Sequence, residues 1–288
     1  MAASESDSAD LGGAFTLLLR RATTTLTIAG VPDPQRDARR LLAFALGVSV
    51  DRLVLAMDGH PSNQVAGKFL EVIERRIARQ PVSQIVGERE FYGRAFRVTS
   101  DVLDPRPDTE TLVDCALERP FQRVLDLGTG SGCILLTLLA ENTGTSGVGV
   151  DISEAALDVA RGNAESLGLE DVSEFRQSDW FSNVSGTYDL IVSNPPYITE
   201  DEMDALEPEV REWEPFEALS PGGDGLSAYR VIAREAAVFM KQGGRLIVEI
   251  GFEQALPVSA IFEKAGFRDI VVRRDLNGHD RVVSCRVI

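Results

Sequence analysis

The sequence is short of lysine, histidine and cysteine, and each shortage excludes something. Of 29 basic residues only three are Lys, against 45 acidic ones, and the formal net charge is −16. The charge is unevenly spread: residues 1–80 carry a net +1 and residues 81–288 a net −17. A phosphate backbone draws its non-specific affinity from clusters of Lys and Arg, so the acidic part disfavours a nucleic acid partner. His60 and His279 are the two histidines, and Cys115, Cys133 and Cys285 show no C-x-x-C spacing, so no metal centre is expected. Three thiols cannot all pair within one chain, and each sits in an apolar stretch, which suits a reducing compartment. No run reaches the roughly 18 uncharged apolar residues of a membrane span. Glu5, Asp7 and Asp10 precede the first apolar run, unlike a secretory leader. A soluble, cytoplasmic monomer without membrane contact is expected.

What is present fits about two domains of ordinary size in 288 residues. Residues 1–80 show helical periodicity. Leu11, Phe15, Leu18 and Leu19 share one face, and Ala38, Leu41, Leu42 and Ala45 another. Asp33 can cap the second helix, with Pro34 in its first turn. A further helix starts near Ser62, and its stripe of Val65, Phe69, Val72, Ile73 and Ile77 is either bundle core or a docking face. Residues 81–105 read as a β-hairpin connector, with Phe91-Tyr92-Gly93 and Phe96-Arg97-Val98 around a glycine. Pro105 and Pro107 restrict the backbone next, and Asp108 or Thr109 can cap a helix carrying Leu112, Val113, Ala116 and Leu117.

From residue 106 to 288 short apolar runs alternate with helical patterns in βαβ order. Strands are expected at 124–127, 148–151, 173–176, 188–193, 245–250, 270–273 and 281–284. The fold class is α/β: a mostly parallel, doubly wound sheet with an antiparallel final pair around Asn277-Gly278, plus a small N-terminal helical bundle.

The loop Gly128-Thr129-Gly130-Ser131-Gly132 lies between a strand ending at Leu127 and a helix, which brings bare backbone to the sheet crevice. Its glycine spacing departs from the dinucleotide fingerprint, and no Gly-Lys-Ser/Thr ending follows, so neither NAD nor ATP is favoured. Asp151 ends the second strand, where a carboxylate can accept two ribose hydroxyl hydrogens; a plain strand-end aspartate is the alternative. Asp179-Trp180 follows the third strand and can meet an adenine, or form a local cap beside a core tryptophan. Asp126 stands at the base of the same loop.

Asn194-Pro195-Pro196-Tyr197 follows the apolar strand ending at Ser193. Two prolines lack N–H donors and leave carbonyl acceptors, Asn194 adds a side-chain acceptor, and Tyr197 adds an aromatic wall. That set suits an NH2 group on a planar substrate. Residues 198–217, with nine acidic side chains and one basic, are either a lid that touches substrate or a solvated cover.

The tetrapeptide together with the glycine loop resembles amino-directed, S-adenosylmethionine-dependent methyltransferases. Pro105-Arg106-Pro107-Asp108-Thr109-Glu110, Phe91-Tyr92-Gly93 and Glu214-Pro215 narrow the likeness to the peptide chain release factor N5-glutamine methyltransferases, with Asp108 where that family usually has glutamate. The resemblance implies a Rossmann-like class I methyltransferase domain. It implies methylation of the glutamine of the Gly-Gly-Gln motif in release factors, with a role in translation termination, and a helical domain that helps recognise that partner. It also implies that Asn194, Pro195, Pro196 and Tyr197 hold the glutamine amide, with Arg106, Thr109 and Glu110 nearby. S-adenosylmethionine, leaving as S-adenosylhomocysteine, would be held by Asp126, Gly128, Thr129, Gly130, Gly132, Asp151, Ile152, Asp179, Trp180 and Asn194. Two other readings stay open: an amino-group methyltransferase acting on adenine in DNA or RNA, and a non-enzymatic S-adenosylmethionine-binding adaptor.

Overall fold

A computed structural model describes residues 13–57 and 59–287, so Leu11, Glu5, Asp7 and Asp10 lie outside the described residues. The chain divides into two compact units, 1–86 and 87–288.

The first unit is helical: α1 (Ala14–Ile28), α2 (Pro34–Leu46), α3 (Leu53–Ala56), α4 (Asn63–Ile77) and α5 (Val82–Val86). Their apolar faces meet in one core that includes Phe15, Leu26, Leu41, Leu42, Phe69, Val72 and Ile73. The stripe of α4 is therefore bundle core. Ser62 caps α4 through its hydroxyl, which accepts from the Val65 N–H at 3.2 Å. Asp33 stands at the N-cap of α2 but makes no side-chain cap bond; Pro34 does occupy the first turn. Within this core Arg76 donates to Asp37 at 2.7 Å, both buried. Such a pair registers α4 against α2, since either charge alone would be costly to bury. Residues 82–86 are helical, where the connector was expected to begin, because Val82 and Ile85 bury their side chains in the helical core.

The second unit opens with a hairpin, β1 (Glu88–Phe91) and β2 (Arg94–Arg97). Tyr92 at φ 51° and Gly93 at φ 72° make the left-handed two-residue turn that matches strand twist. Then follow α6 (Glu110–Leu117), β3 (Arg123–Leu127), α7 (Cys133–Glu141), β4 (Ser146–Asp151), α8 (Glu154–Leu167), β5 (Ser173–Gln177) and β6 (Tyr188–Ser193). The short helices α9 (Pro208–Arg211) and α10 (Phe216–Leu219) come next. The chain ends with α11 (Ser227–Glu235), β7 (Met240–Glu249), α12 (Ala255–Lys264), β8 (Arg268–Arg274) and β9 (Asp280–Arg286). Neither Asp108 nor Thr109 caps α6 through its side chain; Asp108 instead pairs with Arg281 at 3.2 Å.

The seven-stranded sheet has the order β5-β4-β3-β6-β7-β9-β8, with β9 antiparallel to both neighbours and the remaining pairs parallel. The near-continuous apolar strands β3 and β6 lie in its middle and are buried, as a two-faced parallel sheet requires. From β3 the chain steps outward through β4 to β5, then crosses back to β6 and continues to β7. The switch point thus falls between β3 and β6, and ligands of open α/β sheets bind outside the strand ends there. Register places Leu127 beside Val150 and Ser193, and Ser193 beside Val248. The glycine loop, Asp151, the Asn194 turn and Glu249 therefore leave the sheet along one edge.

Candidate active site

A cavity of about 920 Å³ opens at this edge. Gly128, Thr129 and Gly130 form one side of its wall, and Asp151, Ile152, Asp179 and Trp180 the next. Asn194 and Pro196 lie on the same cavity, as do Arg106 and Thr109. Two motifs 66 residues apart at their first positions, Gly128 and Asn194, are thereby brought to one space.

The glycine loop is stitched to the second strand. The Gly128 and Thr129 N–H groups both donate to the Val150 carbonyl at 2.9 Å. Asp151 accepts from the Gly130 N–H through Oδ2 and from the Ser153 N–H through Oδ1, each at 2.9 Å. These bonds leave further lone pairs on both oxygens for a diol. Burial pushes the Asp151 pKa up, opposed by those backbone donors. Gly130 has φ 54° and open space where a Cβ would stand, so its backbone faces the cavity unshielded.

Two residues expected at the cofactor lie behind the wall. Asp126 is fully buried, because the Thr129 hydroxyl covers it and donates to its Oδ2 at 2.7 Å. Burial raises its pKa to about 7, and the neighbouring Asp151 charge adds to the shift. Gly132 begins α7 facing Ala160 and Leu136, so its small size serves packing of α7 on α8. The loop is held from behind by Asn163 of α8, which donates to the Ser131 carbonyl at 2.8 Å and exchanges hydrogen bonds with the Arg97 backbone.

Beyond the third strand, Asp179 is exposed on the cavity wall, and Trp180, at φ 48°, is held by the Ser178 hydroxyl donating to its carbonyl at 2.8 Å. Ile152 is 60% exposed at the rim, an apolar surface open to a ring.

At the Asn194 turn, Pro195 is buried, whereas Asn194 and Pro196 reach the cavity. The Asn194 Nδ2 donates to the Thr109 hydroxyl at 3.3 Å. Tyr197 is half-buried against the main core, its carbonyl accepting from Gln254 Nε2 at 2.9 Å and its hydroxyl donating to Glu249 Oε1 at 3.4 Å. Burial and the Glu249 charge push its pKa up. Glu110, expected near the substrate, is not on the wall: its Oε1 accepts from the Tyr92 N–H at 2.8 Å and secures the hairpin turn.

The stretch 198–217 is both cover and wall: seven of its nine acidic residues are exposed, and its last residues line the cavity. Glu209 and Glu214 are buried, and Pro215, Phe216, Glu217 and Ala218 line the cavity. Ile198 N–H donates to the Leu219 carbonyl and Glu200 N–H to the Gly223 carbonyl, at 3.0 and 3.1 Å, folding the segment back on itself. Arg106 Nη2 donates to both oxygens of Glu214. Sequence reasoning missed Glu249. Its signal was a single carboxyl within the apolar run Leu246-Ile247-Val248-Glu249-Ile250.

S-adenosylmethionine fits this donor set. The cavity has the volume of a nucleoside-sized ligand site, a carboxylate with spare lone pairs, a bare glycine backbone and an apolar rim.

Among known families, the PrmC N-terminal domain model matches residues 18–87 and the methyltransferase small domain model residues 100–224. The chain is 54% identical over 269 residues to the release factor glutamine methyltransferase of Cereibacter sphaeroides, covering 93% of this chain and 97% of that one. Against the release factor glutamine methyltransferase of Rhodospirillum rubrum it is 45% identical over 272 residues, covering 93% and 84%. A methyltransferase structure from Pyrococcus furiosus superposes with a TM-score of 0.51 at 17% identity, over 68% of this chain and 90% of that one. The hMettl16 catalytic domain in complex with MAT2A 3′UTR hairpin 6 gives 0.57 at 15%, over 75% and 81%. The shared fold is the Rossmann-like class I methyltransferase sheet.

Proposed function

The chain belongs to the release factor glutamine methyltransferase family, and from that premise we propose how its residues carry out the reaction. The enzyme transfers a methyl group from S-adenosylmethionine to the side-chain amide nitrogen of a release factor glutamine. The observation that supports the residue assignment best is that Asn194 and Asp151 line one cavity. When bound, S-adenosylmethionine supplies an electrophilic methyl on a cationic sulfur. Asp151 would hold the ribose hydroxyls, the Gly128–Gly130 backbone would face the donor, and Asp179 with Trp180 would meet the adenine, all on one cavity.

The difficulty of the reaction lies in the acceptor, since an amide nitrogen has its lone pair delocalised into the carbonyl. Asn194 Oδ1, on the cavity wall, accepts one amide hydrogen and orients the nitrogen, and the carbonyl of Pro195, whose ring is buried behind that wall, is assigned the second by the family likeness; two such acceptors favour loss of planarity. With the methyl that bound S-adenosylmethionine would supply, the nitrogen would become positive as its bond to carbon formed and the sulfur left, and the same two oxygens would stabilise that charge until one of its protons left. No charged base is needed at the moment of attack. Alignment of this kind is worth up to roughly 7–11 kcal/mol in ideal systems.

The helical unit, which matches the PrmC N-terminal domain, serves release factor recognition. No helix among the described residues is long and apolar enough to cross a membrane. Asn194→Ala tests the assignment: methyl transfer to a release factor should fall by roughly a hundredfold or more while S-adenosylmethionine binding persists. Unchanged turnover would remove Asn194 from the reaction.

A further inference from the structure

We infer that Thr109 and Glu249 are positioning residues for the transfer, a buried hydroxyl and carboxyl that fix which end of the Asn194 amide is offered to the substrate and tether Tyr197 of the same turn. This rests on the reading of Asn194 as the acceptor of a substrate amide hydrogen.

A side-chain amide has two orientations of nearly equal size, of which one presents oxygen and the other a donor NH2. Presented the wrong way, Asn194 would meet the substrate NH2 with its own. The pocket distinguishes the two. Asn194 Nδ2 donates to Thr109 Oγ1 at 3.3 Å, which leaves Oδ1 for the cavity. Thr109 is 2% exposed, so water does not decide where its single hydrogen points. The hydroxyl and Arg281 both favour the charged form of the neighbouring Glu249 carboxyl, as a donor and a cation do. With Glu249 ionised and the hydrogen turned toward it, the Thr109 lone pairs face Asn194 and accept its Nδ2–H. A flipped Asn194 would force the hydrogen back toward Asn194 and turn oxygen lone pairs onto the carboxyl.

The same carboxyl accepts from the Tyr197 hydroxyl at 3.4 Å. One carboxyl thus meets Tyr197 directly and adjoins Thr109, the partner of Asn194. Glu249 is 1% exposed at the end of β7, and its Oε2 closes no full hydrogen bond. Burial drives its pKa up to about 7, a cost that an apolar residue in this strand would avoid. A carboxyl kept at that cost, aimed at two hydroxyls of the site, is organised for position rather than for core packing.

The test compares Thr109→Val, Thr109→Ser, Glu249→Gln and Asn194→Ala for kcat, for the KM of a release factor, for the S-adenosylmethionine dissociation constant and for the urea midpoint. Thr109→Val keeps the shape and removes the hydroxyl. It should lower kcat by roughly tenfold to a hundredfold and leave the cofactor dissociation constant unchanged. Thr109→Ser should recover most of the loss. Glu249→Gln should lower kcat in the same way, and the double variant should be no worse than the weaker single, as members of one relay behave. Wild-type kcat in Thr109→Val or Glu249→Gln alongside a crippled Asn194→Ala would overturn the positioning role alone. So would a Thr109→Ser as poor as Thr109→Val, or losses of cofactor affinity and stability in step with kcat. Wild-type turnover in Asn194→Ala would overturn the acceptor reading beneath it.

Discussion

The Arg106 Nη2 lies 2.7 Å from each carboxylate oxygen of Glu214, 108 positions later in the chain. Arg106 belongs to the segment that leads into Thr109, and Glu214 to the segment that returns over the cavity as Pro215–Ala218. The pair therefore ties the front wall of the pocket to the side that carries the Asn194 partner. The Glu214 side chain is 1% exposed and the Arg106 side chain 35%. Burial outweighs the guanidinium's attraction and raises the Glu214 pKa to about 7.

Arg106→Ala removes the partner of a buried carboxyl. The protein should lose about 1–2 kcal/mol, below the usual cost for a fully buried pair because Arg106 is partly solvated. Cofactor affinity should fall with it as the wall loosens. Adding Glu214→Gln should recover stability, since the neutral amide costs less to bury. Urea unfolding and calorimetric titration with S-adenosylhomocysteine check this; an Arg106→Ala protein with wild-type midpoint and affinity would contradict it.

Two of the three loop glycines, Gly130 and Gly132, should respond differently to alanine. Gly132 has φ 79°, and an added Cβ would stand 3.1 Å from Leu136 Cδ1 and 3.2 Å from Ala160 Cβ. Gly132→Ala should cost about 2–4 kcal/mol of stability, combining backbone strain and overpacking. Gly130, at φ 54°, meets nothing within 4 Å. Gly130→Ala should cost only about 1–2 kcal/mol and act chiefly on cofactor affinity, because its new methyl enters the cavity. Chemical denaturation and cofactor titration of both variants should show this order, and the reverse order would refute the division of labour.

Asp151→Ala removes the acceptor for the Gly130 and Ser153 N–H groups together with the proposed ribose contact. Cofactor binding should weaken by at least about tenfold, equivalent to roughly 1.4 kcal/mol, before any change in the chemical step. Single-turnover rates at saturating S-adenosylmethionine should remain near wild type. An unchanged dissociation constant would remove Asp151 from the cofactor site.

Asp126 carries a pH signature. Its folded pKa is raised from 3.8 to about 7, so the folded protein holds this proton more tightly than the unfolded chain. The associated stability is present below pH about 4 and is lost as pH rises to about 7. Relative to Asp126→Asn, the wild-type unfolding free energy should therefore decline across that interval. Urea midpoints of the two proteins at a series of pH values measure the difference, and parallel profiles would contradict it.

Much of this architecture was legible because strong local signals agreed with one another. The apolar strand ending at Ser193, followed by Asn194-Pro195-Pro196-Tyr197, and the strand ending at Leu127, followed by glycines, fixed both loops at strand ends. Their common edge followed from βαβ order. The antiparallel β9 was readable from Asn277-Gly278, where the chain turns with Gly278 at φ 85°. The side-chain partners were not readable. Nothing local tells that Glu110 turns to the Tyr92 N–H, or that the Thr129 hydroxyl seals Asp126 away from the cavity. Glu249 looked like part of a strand because its importance depends on Tyr197 and Thr109, which arrive from other elements. Residues 82–86 became helix because burial of Val82 and Ile85 in the bundle outweighed the β-branched character of the segment.

The most direct measurement is to incubate the enzyme with S-adenosylmethionine carrying a labelled methyl, together with a release factor, free DNA and RNA, and to locate the label by fragmentation mass spectrometry. The account predicts a single label on the side-chain amide nitrogen of the glutamine in the Gly-Gly-Gln motif, lost when Asn194 is Ala. A label on a nucleobase, or on the glutamine with undiminished yield in Asn194→Ala, would contradict it.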